Sequence, residues 1–181
     1  MIVGITGTFG AGKGAVVSYL VAKKGFVHYS ARKFFAEEME KQNIPITRDT
    51  MIEFANTLRI QHGPRCLFDT LYEKAQAHGA SAVIESIRTV AEAEALKERG
   101  GILLAVDANQ KTRYARIHGR GSALDQVTFA EFQRQESLEM HSDDPHKQNI
   151  SAVMQMADVT IQNDGTLAAL HSEIEKTFAH C

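Results

Sequence analysis

Tryptophan is absent from this 181-residue chain, proline occurs three times and cysteine only twice. Cys66 and Cys181 are too few for the disulfide framework of a small secreted domain, and they lack the paired spacing of a zinc site. None is needed, because a chain of this length buries roughly 70% of its unfolded surface around its own core. No apolar run reaches the ~20 residues that span a bilayer. Charge of one sign is lacking too: 20 Lys and Arg stand against 22 Asp and Glu, a formal net of −2. That balance gives no basic excess for nucleic acid or an anionic membrane. The first residues lack the charged and apolar layout of a signal peptide. The expectation is a soluble, cytoplasmic protein with a small-molecule partner, no nucleic-acid or membrane partner, and an oligomeric state left open.

No repeat, low-complexity tract or Pro/Ser-rich linker divides the chain. Apolar periodicity alternates between short continuous runs and helix-spaced stripes, the pattern of one α/β domain over residues 1–181. Runs at Met1–Thr6, Phe26–Tyr29, Ala82–Glu85, Ile102–Asp107 and Asp158–Gln162 predict five strands of a parallel sheet covered on both faces. Val16, Val17, Leu20 and Val21 mark one face of a helix over Lys13–Lys24, stopped by Gly25. Thr-x-x-Glu capping boxes at Thr89/Glu92 and Thr128/Glu131 open two further helices. Gly63-Pro64 starts another that runs to about His78, and Leu167, Leu170, Ile174 and Phe178 stripe the last. Between Ser30 and Gly79 no strong strand interrupts the helical pattern. Residues 30–79 therefore read as a helical insertion between the second and third strands, and ligands of an open parallel sheet sit beyond such strand ends.

Directly after the first strand comes Gly7-Thr8-Phe9-Gly10-Ala11-Gly12-Lys13-Gly14, which fits Gly-x-x-x-x-Gly-Lys leading into a helix. Glycines let successive N–H groups converge on phosphate oxygens, the helix start adds partial positive charge, and Lys13 supplies a movable ammonium. Gly7, Thr8, Phe9, Gly10, Ala11, Gly12, Lys13, Gly14 and Ala15 are thus the expected cradle for ATP, with Lys13 catalytic. The hydroxyl that usually follows the lysine is missing at Gly14 and Ala15, so Mg²⁺ must be held another way. Glu85, at the end of the third strand, can orient magnesium and its waters; the bland alternative is an acid paired with Arg88.

Arg113, Arg116 and Arg120 recur at spacings of three and four, along one helical face. Forked guanidinium groups suit the shifting charge of phosphoryl transfer, and a solvated basic face is the alternative. Ser30 is placed to cap the next helix, and Arg59 lies on the helix after Thr50. His141-Ser142-Asp143-Asp144-Pro145-His146 reads as a solvated helix-to-loop segment, because Pro145 breaks the face a metal cluster would share.

These residues resemble the nucleoside monophosphate kinases, the adenylate kinase family among them, whose loop reads Gly-x-x-Gly-x-Gly-Lys-Gly-Thr. Gly7, Gly10, Gly12, Lys13 and Gly14 match it, and Ala15 replaces the hydroxyl. The resemblance implies a three-layer P-loop NTPase fold with a five-stranded parallel sheet, a helical acceptor-binding insertion and a short lid. It also implies that Arg88 grips the acceptor's phosphate, and that Ser30 and the residues after it hold the acceptor. An arginine of those kinases is replaced by Ala36, and Arg32, Lys33 or Arg59 is left to supply its charge. Arg116-Ile117-His118-Gly119-Arg120 is similar to the start of the kinase lid, which implies a lid over 119–127 with Arg116 and Arg120 catalytic. Arg134 falls in the region of further kinase arginines.

The run Ala157–Thr166 is similar to the last strand and loop of dephospho-coenzyme A kinases, which implies that Asn163 and Gly165 pack on the donor's adenine. The acidic acceptor-side motif of that family is replaced here by Tyr29-Ser30-Ala31-Arg32. The expected function is transfer of the γ-phosphoryl group of ATP to a nucleotide-like acceptor, a (deoxy)nucleoside monophosphate. One alternative is a dephospho-coenzyme A kinase, for which Asp49 and Asp107 are the acids to inspect. The other, motivated by Ala15 and Ala36, is a nucleotide-binding regulatory module without turnover.

Overall fold

The structure, a computed structural model, describes residues 1–119 and 127–179. Five strands form its centre: β1 (Ile2–Gly7), β2 (Val27–Ser30), β3 (Ala82–Glu85), β4 (Ile102–Asp107) and β5 (Val159–Gln162). They pair in the order β2-β3-β1-β4-β5, every pair parallel. Short apolar runs suit such strands because both faces are covered. Val83 and Leu104 pack on one face with Val16, Val17 and Leu20 of α1 (Lys13–Lys24) and with Leu170 and Ile174 of α9 (Leu167–Thr177). Ile84 and Leu103 pack on the other with α4 (Cys66–His78) and α5 (Val90–Glu98), through Phe68, Leu71 and Leu96. α8 (Ile150–Gln155) adds Val153 to that second layer. Each fully buried Leu, Ile or Phe of these layers contributes about 1.5–3 kcal/mol of transfer free energy.

The insertion between β2 and β3 holds α2 (Ala31–Lys41), α3 (Arg48–His62) and α4, as its helical pattern predicts. Ser30 Oγ accepts from Lys33 N and caps α2, and Thr47 with Thr50 forms the box that opens α3. The last helix of the insertion starts at Cys66 instead of Pro64, because Cys66 N turns back onto Gly63 O and leaves Pro64 and Arg65 in a turn. Thr89 and Glu92 form the reciprocal box expected at α5. At α7 (Phe129–Met140) only half of the expected box forms: Thr128 Oγ1 accepts from Glu131 N, while the Glu131 carboxylate pairs with Arg134. Leu167 departs from its expected stripe and is 59% exposed in the first turn of α9.

After β4 comes α6 (Gln110–His118). The expected lid, 119–127, lies outside the described residues except for Gly119 and Val127, and Arg120 lies outside them as well. No described helix is long and apolar enough to cross a membrane.

Candidate functional site

The phosphate loop sits at the carboxyl end of β1, the central strand, where it opens α1. Gly10 and Gly12 have φ of +82° and +101°, a left-handed backbone that side chains resist. A Cβ on Gly12 would stand 2.4 Å from Asn163 Nδ2, the amide that donates to Ala11 O at 2.8 Å. The loop after β5 is thereby fastened to the phosphate loop. In the first turn of α1 the N–H groups of Lys13 and Gly14 have no helical carbonyl behind them, and the positive helix end adds to their pull on an anion.

Lys13 Nζ donates to the carbonyls of Gly7 and Thr8, each at 2.8 Å. Burial, and then the charge of Arg88, hold its pKa down at about 7, against the pull of Glu139 and Glu85. A desolvated lysine folded onto its own loop, at a helix start with free N–H groups, is the chemistry that a polyphosphate completes. The residues present therefore fit the triphosphate of ATP.

A cleft of about 590 Å³ opens from this loop. Ala31, Arg32 and Phe35 of α2, Met51, Ile52, Ala55 and Arg59 of α3, and Leu67 of α4 make its far wall. Ser30, Glu85, Ser86, Arg88, Glu139 and Gln148 complete it. The chain reverses sharply after β3. Ser86 has φ of +74°, and Ser86 N and Ile87 N both donate to Ile5 O at 3.0 Å. A non-glycine residue in that region stores strain, and here the turn directs Glu85 and Arg88 into the cleft. Glu85 meets His28 Nε2 at 3.0 Å. That hydrogen bond first, aided by the charges of His28, Lys13 and Arg88 and opposed by burial, lowers the Glu85 pKa below its ordinary value. An ionised carboxylate beside the phosphate loop fits a hydrated Mg²⁺.

Arg88 Nη1 donates to Glu139 Oε2 at 2.8 Å and to Gln148 Oε1 at 2.7 Å. Arg59 is 1% exposed and donates through Nε and Nη2 to Glu92 Oε1, at 3.3 and 3.1 Å. Its Nη1 is buried with no hydrogen-bond partner among the described residues. The other oxygen of Glu92 accepts from Arg88 N and Thr89 N at 2.8 and 3.2 Å. One buried carboxylate thus caps α5 and fixes Arg59 relative to Arg88.

The structure separates the arginines that sequence spacing groups. Arg113 is neither solvated nor turned to the phosphates: it is 6% exposed, pairs with Glu136 and donates to Ala108 O and Phe9 O at 2.7 and 3.1 Å. Its position on α6 faces the phosphate loop and α7 from beneath, where an unpaired guanidinium would be costly. Arg116 donates to Asn163 O at 2.7 Å and Gly165 O at 3.4 Å, so it braces the loop after β5. Arg134 is exposed and paired with Glu131. Asp107 is occupied by Thr8 Oγ1 at 2.5 Å and Ala108 N at 2.8 Å.

Sequence reading missed His28, Glu139 and Gln148. Glu139 lies three residues after buried Glu136, a helical spacing that places both on the inner face of α7. Gln148 follows the segment read as solvated loop, and no sequence pattern marks it.

The parallel sheet in this order, the phosphate loop at its centre and the helical insertion define a P-loop kinase fold. The chain belongs to the AAA domain family, whose profile matches residues 3–157. It is similar to a UPF0200 protein of Pyrobaculum aerophilum, 28% identical over 178 residues that cover 97% of this chain and 95% of the relative. Its fold is shared with shikimate kinase from Acinetobacter baumannii in complex with shikimate, at TM-score 0.59 and 18% identity, covering 98% of this chain and 92% of that one. A gluconokinase from Sinorhizobium meliloti is similar at TM-score 0.58 and 14% identity, over 98% and 90% of the two chains.

Proposed function

We propose that this protein is an ATP-dependent kinase whose acceptor is itself phosphorylated, a ribo- or deoxyribonucleoside monophosphate. The observation that carries this reading is the lining of this cleft. Its lining joins four cations, Lys13, Arg88, Arg59 and Arg32, to an apolar wall of Phe35, Met51, Ile52, Ala55 and Leu67. Cations next to an apolar wall suit a molecule with a phosphate at one end and a flat ring at the other.

In this reading the phosphate loop and Lys13 hold the donor phosphates, and Arg88 holds the acceptor's phosphate with the buried guanidinium edge of Arg59, unpaired among the described residues, behind it. An oxygen of that phosphate attacks the γ-phosphorus, and the bond from γ-phosphorus to the bridging oxygen breaks as ADP leaves. The nucleophile is already anionic, so positioning replaces a general base. Bound Mg²⁺ would supply charge neutralisation between the donor phosphates, with Glu85 holding its waters. A dephospho-coenzyme A acceptor would present a hydroxyl and call for an acid beside it. Neither Asp49 nor Asp107 lines the cleft, and Asp107 is committed to Thr8; the carboxylates that do line it are Glu85, paired with His28, and Glu139, paired with Arg88.

The test is ADP release from ATP and Mg²⁺ with a panel of nucleoside and deoxynucleoside monophosphates, dephospho-coenzyme A, shikimate and gluconate. Turnover with one or more monophosphates is the expected result. Turnover confined to dephospho-coenzyme A would establish the second reading, and turnover confined to shikimate or gluconate would overturn the phosphorylated-acceptor reading. Tight ADP binding with no turnover on any acceptor would make the protein a regulatory module.

A further inference from the structure

We propose that Gln148 is a direct ligand of the acceptor's phosphate, donating from Nε2 beside Arg88; this rests on the phosphorylated-acceptor reading and adds to it a contact outside the phosphate loop and arginines. Gln148 is 6% exposed, yet it lines the cleft. Its Oε1 lies 2.7 Å from Arg88 Nη1. Which end of a glutamine amide is oxygen is ordinarily an assignment, but a guanidinium has only donors, so the atom facing it must be the acceptor. The amide orientation is therefore fixed, and Nε2 is the end left over. That nitrogen carries two N–H donors and has no hydrogen-bond partner among the described residues. The side chain is largely buried and lines the cleft, so this donor is presented to whatever acceptor a bound ligand brings there.

The place in the cleft identifies that acceptor. Arg88 and Glu139 are both close enough to Lys13 to act on its charge, so this cluster lies at the phosphate end and not at the ring end. Nη1 of Arg88 is spent on Glu139 and Gln148, which leaves the other Arg88 donors and Gln148 Nε2 as neighbouring donors in the lining of one cleft. A phosphate monoester presents several oxygens there, more than one guanidinium edge satisfies.

The segment that delivers Gln148 is built for the purpose. Asn149 N donates to Arg88 O at 2.9 Å, which locks the chain next to the arginine backbone. Asn149 Nδ2 closes the loop onto Ser142 O at 2.9 Å, while Asn149 Oδ1 caps α8 through Ala152 N at 3.1 Å. Lys147 N returns to Asp144 O at 3.0 Å. The residue before Asn149 thus has little freedom, and its side chain is held against Arg88.

Two substitutions separate contact from mere support. Gln148→Leu removes both functions of the amide. Gln148→Glu keeps an oxygen to hold Arg88 but removes the donor and sets a negative charge against the phosphate. The full chain, saturated with a non-hydrolysable ATP analogue and Mg²⁺, is titrated with AMP, CMP, GMP, UMP, dCMP and dTMP; ADP affinity is measured separately as the check on folding and on the donor site. Direct contact predicts about tenfold weaker monophosphate binding for Gln148→Leu and about a hundredfold for Gln148→Glu, the same for every base, with ADP affinity within twofold. If Gln148 only supports Arg88, Gln148→Leu costs nothing further in an Arg88→Ala background, whereas direct contact keeps its loss there; the first result overturns the inference. A loss confined to one base would make Gln148 a reader of the ring and would overturn the phosphate assignment. Wild-type protein that binds none of the six would remove the phosphorylated-acceptor reading itself, and this inference with it.

Discussion

Arg59 shows how a residue chosen from sequence takes on a second partner in the fold. The charge left missing by Ala36 pointed to Arg59 as a phosphate contact, and Arg59 does line the cleft. Sequence did not reveal that a capping-box glutamate, Glu92, lies against it with both side chains 1% exposed. The box residue is legible because it sits three positions from Thr89; its contact with α3 is not, because 33 residues separate the partners. The two ends of this ion pair are unequal. Removing Glu92 strands a buried guanidinium and uncaps α5, whereas removing Arg59 leaves Glu92 two backbone N–H donors. Glu92→Ala is therefore expected to destabilise the protein by about 3–5 kcal/mol, the range for one lost partner of a buried pair. Arg59→Ala should cost clearly less stability yet weaken binding of the monophosphate acceptor. Urea denaturation of both variants, beside acceptor titration of Arg59→Ala, measures the asymmetry; equal losses of stability would show that the backbone donors do not sustain Glu92.

Among the elements, β3 and β4 match their sequence-derived limits to the residue, because each is an apolar run closed by an acid. β2 starts one residue later than its pattern, at Val27, since Phe26 N turns back to Leu20 O. The turn after β3 was not legible at all: nothing in Glu85-Ser86-Ile87-Arg88 announces a left-handed serine. Its cause is tertiary, a single carbonyl, Ile5 O, that receives two successive N–H groups. The same holds for the 141–149 arm, whose shape rests on a backbone bond from Asn149 N to Arg88 O, 61 residues away in the chain. The Ser86 turn supports a sharp prediction. Ser86→Val puts a β-branched residue at φ of +74° and should cost about 1–3 kcal/mol, while Ser86→Gly and Ser86→Asn should cost little. Because Glu85 and Arg88 flank the turn, Ser86→Val should also lower kcat and acceptor affinity together while ADP affinity stays near wild type. Urea melts and steady-state kinetics of the three variants test this, and a wild-type Ser86→Val would show that the turn carries no strain relevant to the site.

At the scale of the whole molecule, a buried ammonium in the phosphate loop costs stability, and pH exposes that cost. Lys13 is held at about 7 in the folded chain and returns to its ordinary value near 10.5 on unfolding. Between those values the unfolded state binds more protons than the folded one, so this group makes stability rise with pH from about 7 to about 10.5. Below 7 both states are protonated, and the folded state bears the full penalty of a buried ammonium. Glu85 acts in the same direction at lower pH, because its depressed folded pKa gives stability that is lost as acid protonates it. Lys13→Met should therefore raise the melting temperature of the empty protein at pH 7 and flatten its rise toward pH 10, while cutting turnover roughly 10² or more. Ligand binding reverses the balance, since donor phosphates favour the charged ammonium. At pH 8.5 the wild-type protein should take up about one proton on binding ADP with Mg²⁺, and Lys13→Met about none. Calorimetry in buffers of different ionisation enthalpy reads that proton directly. Proton uptake that persists in Lys13→Met would place the titrating group elsewhere, and a melting temperature unmoved by the substitution would mean that the empty loop tolerates its lysine without cost.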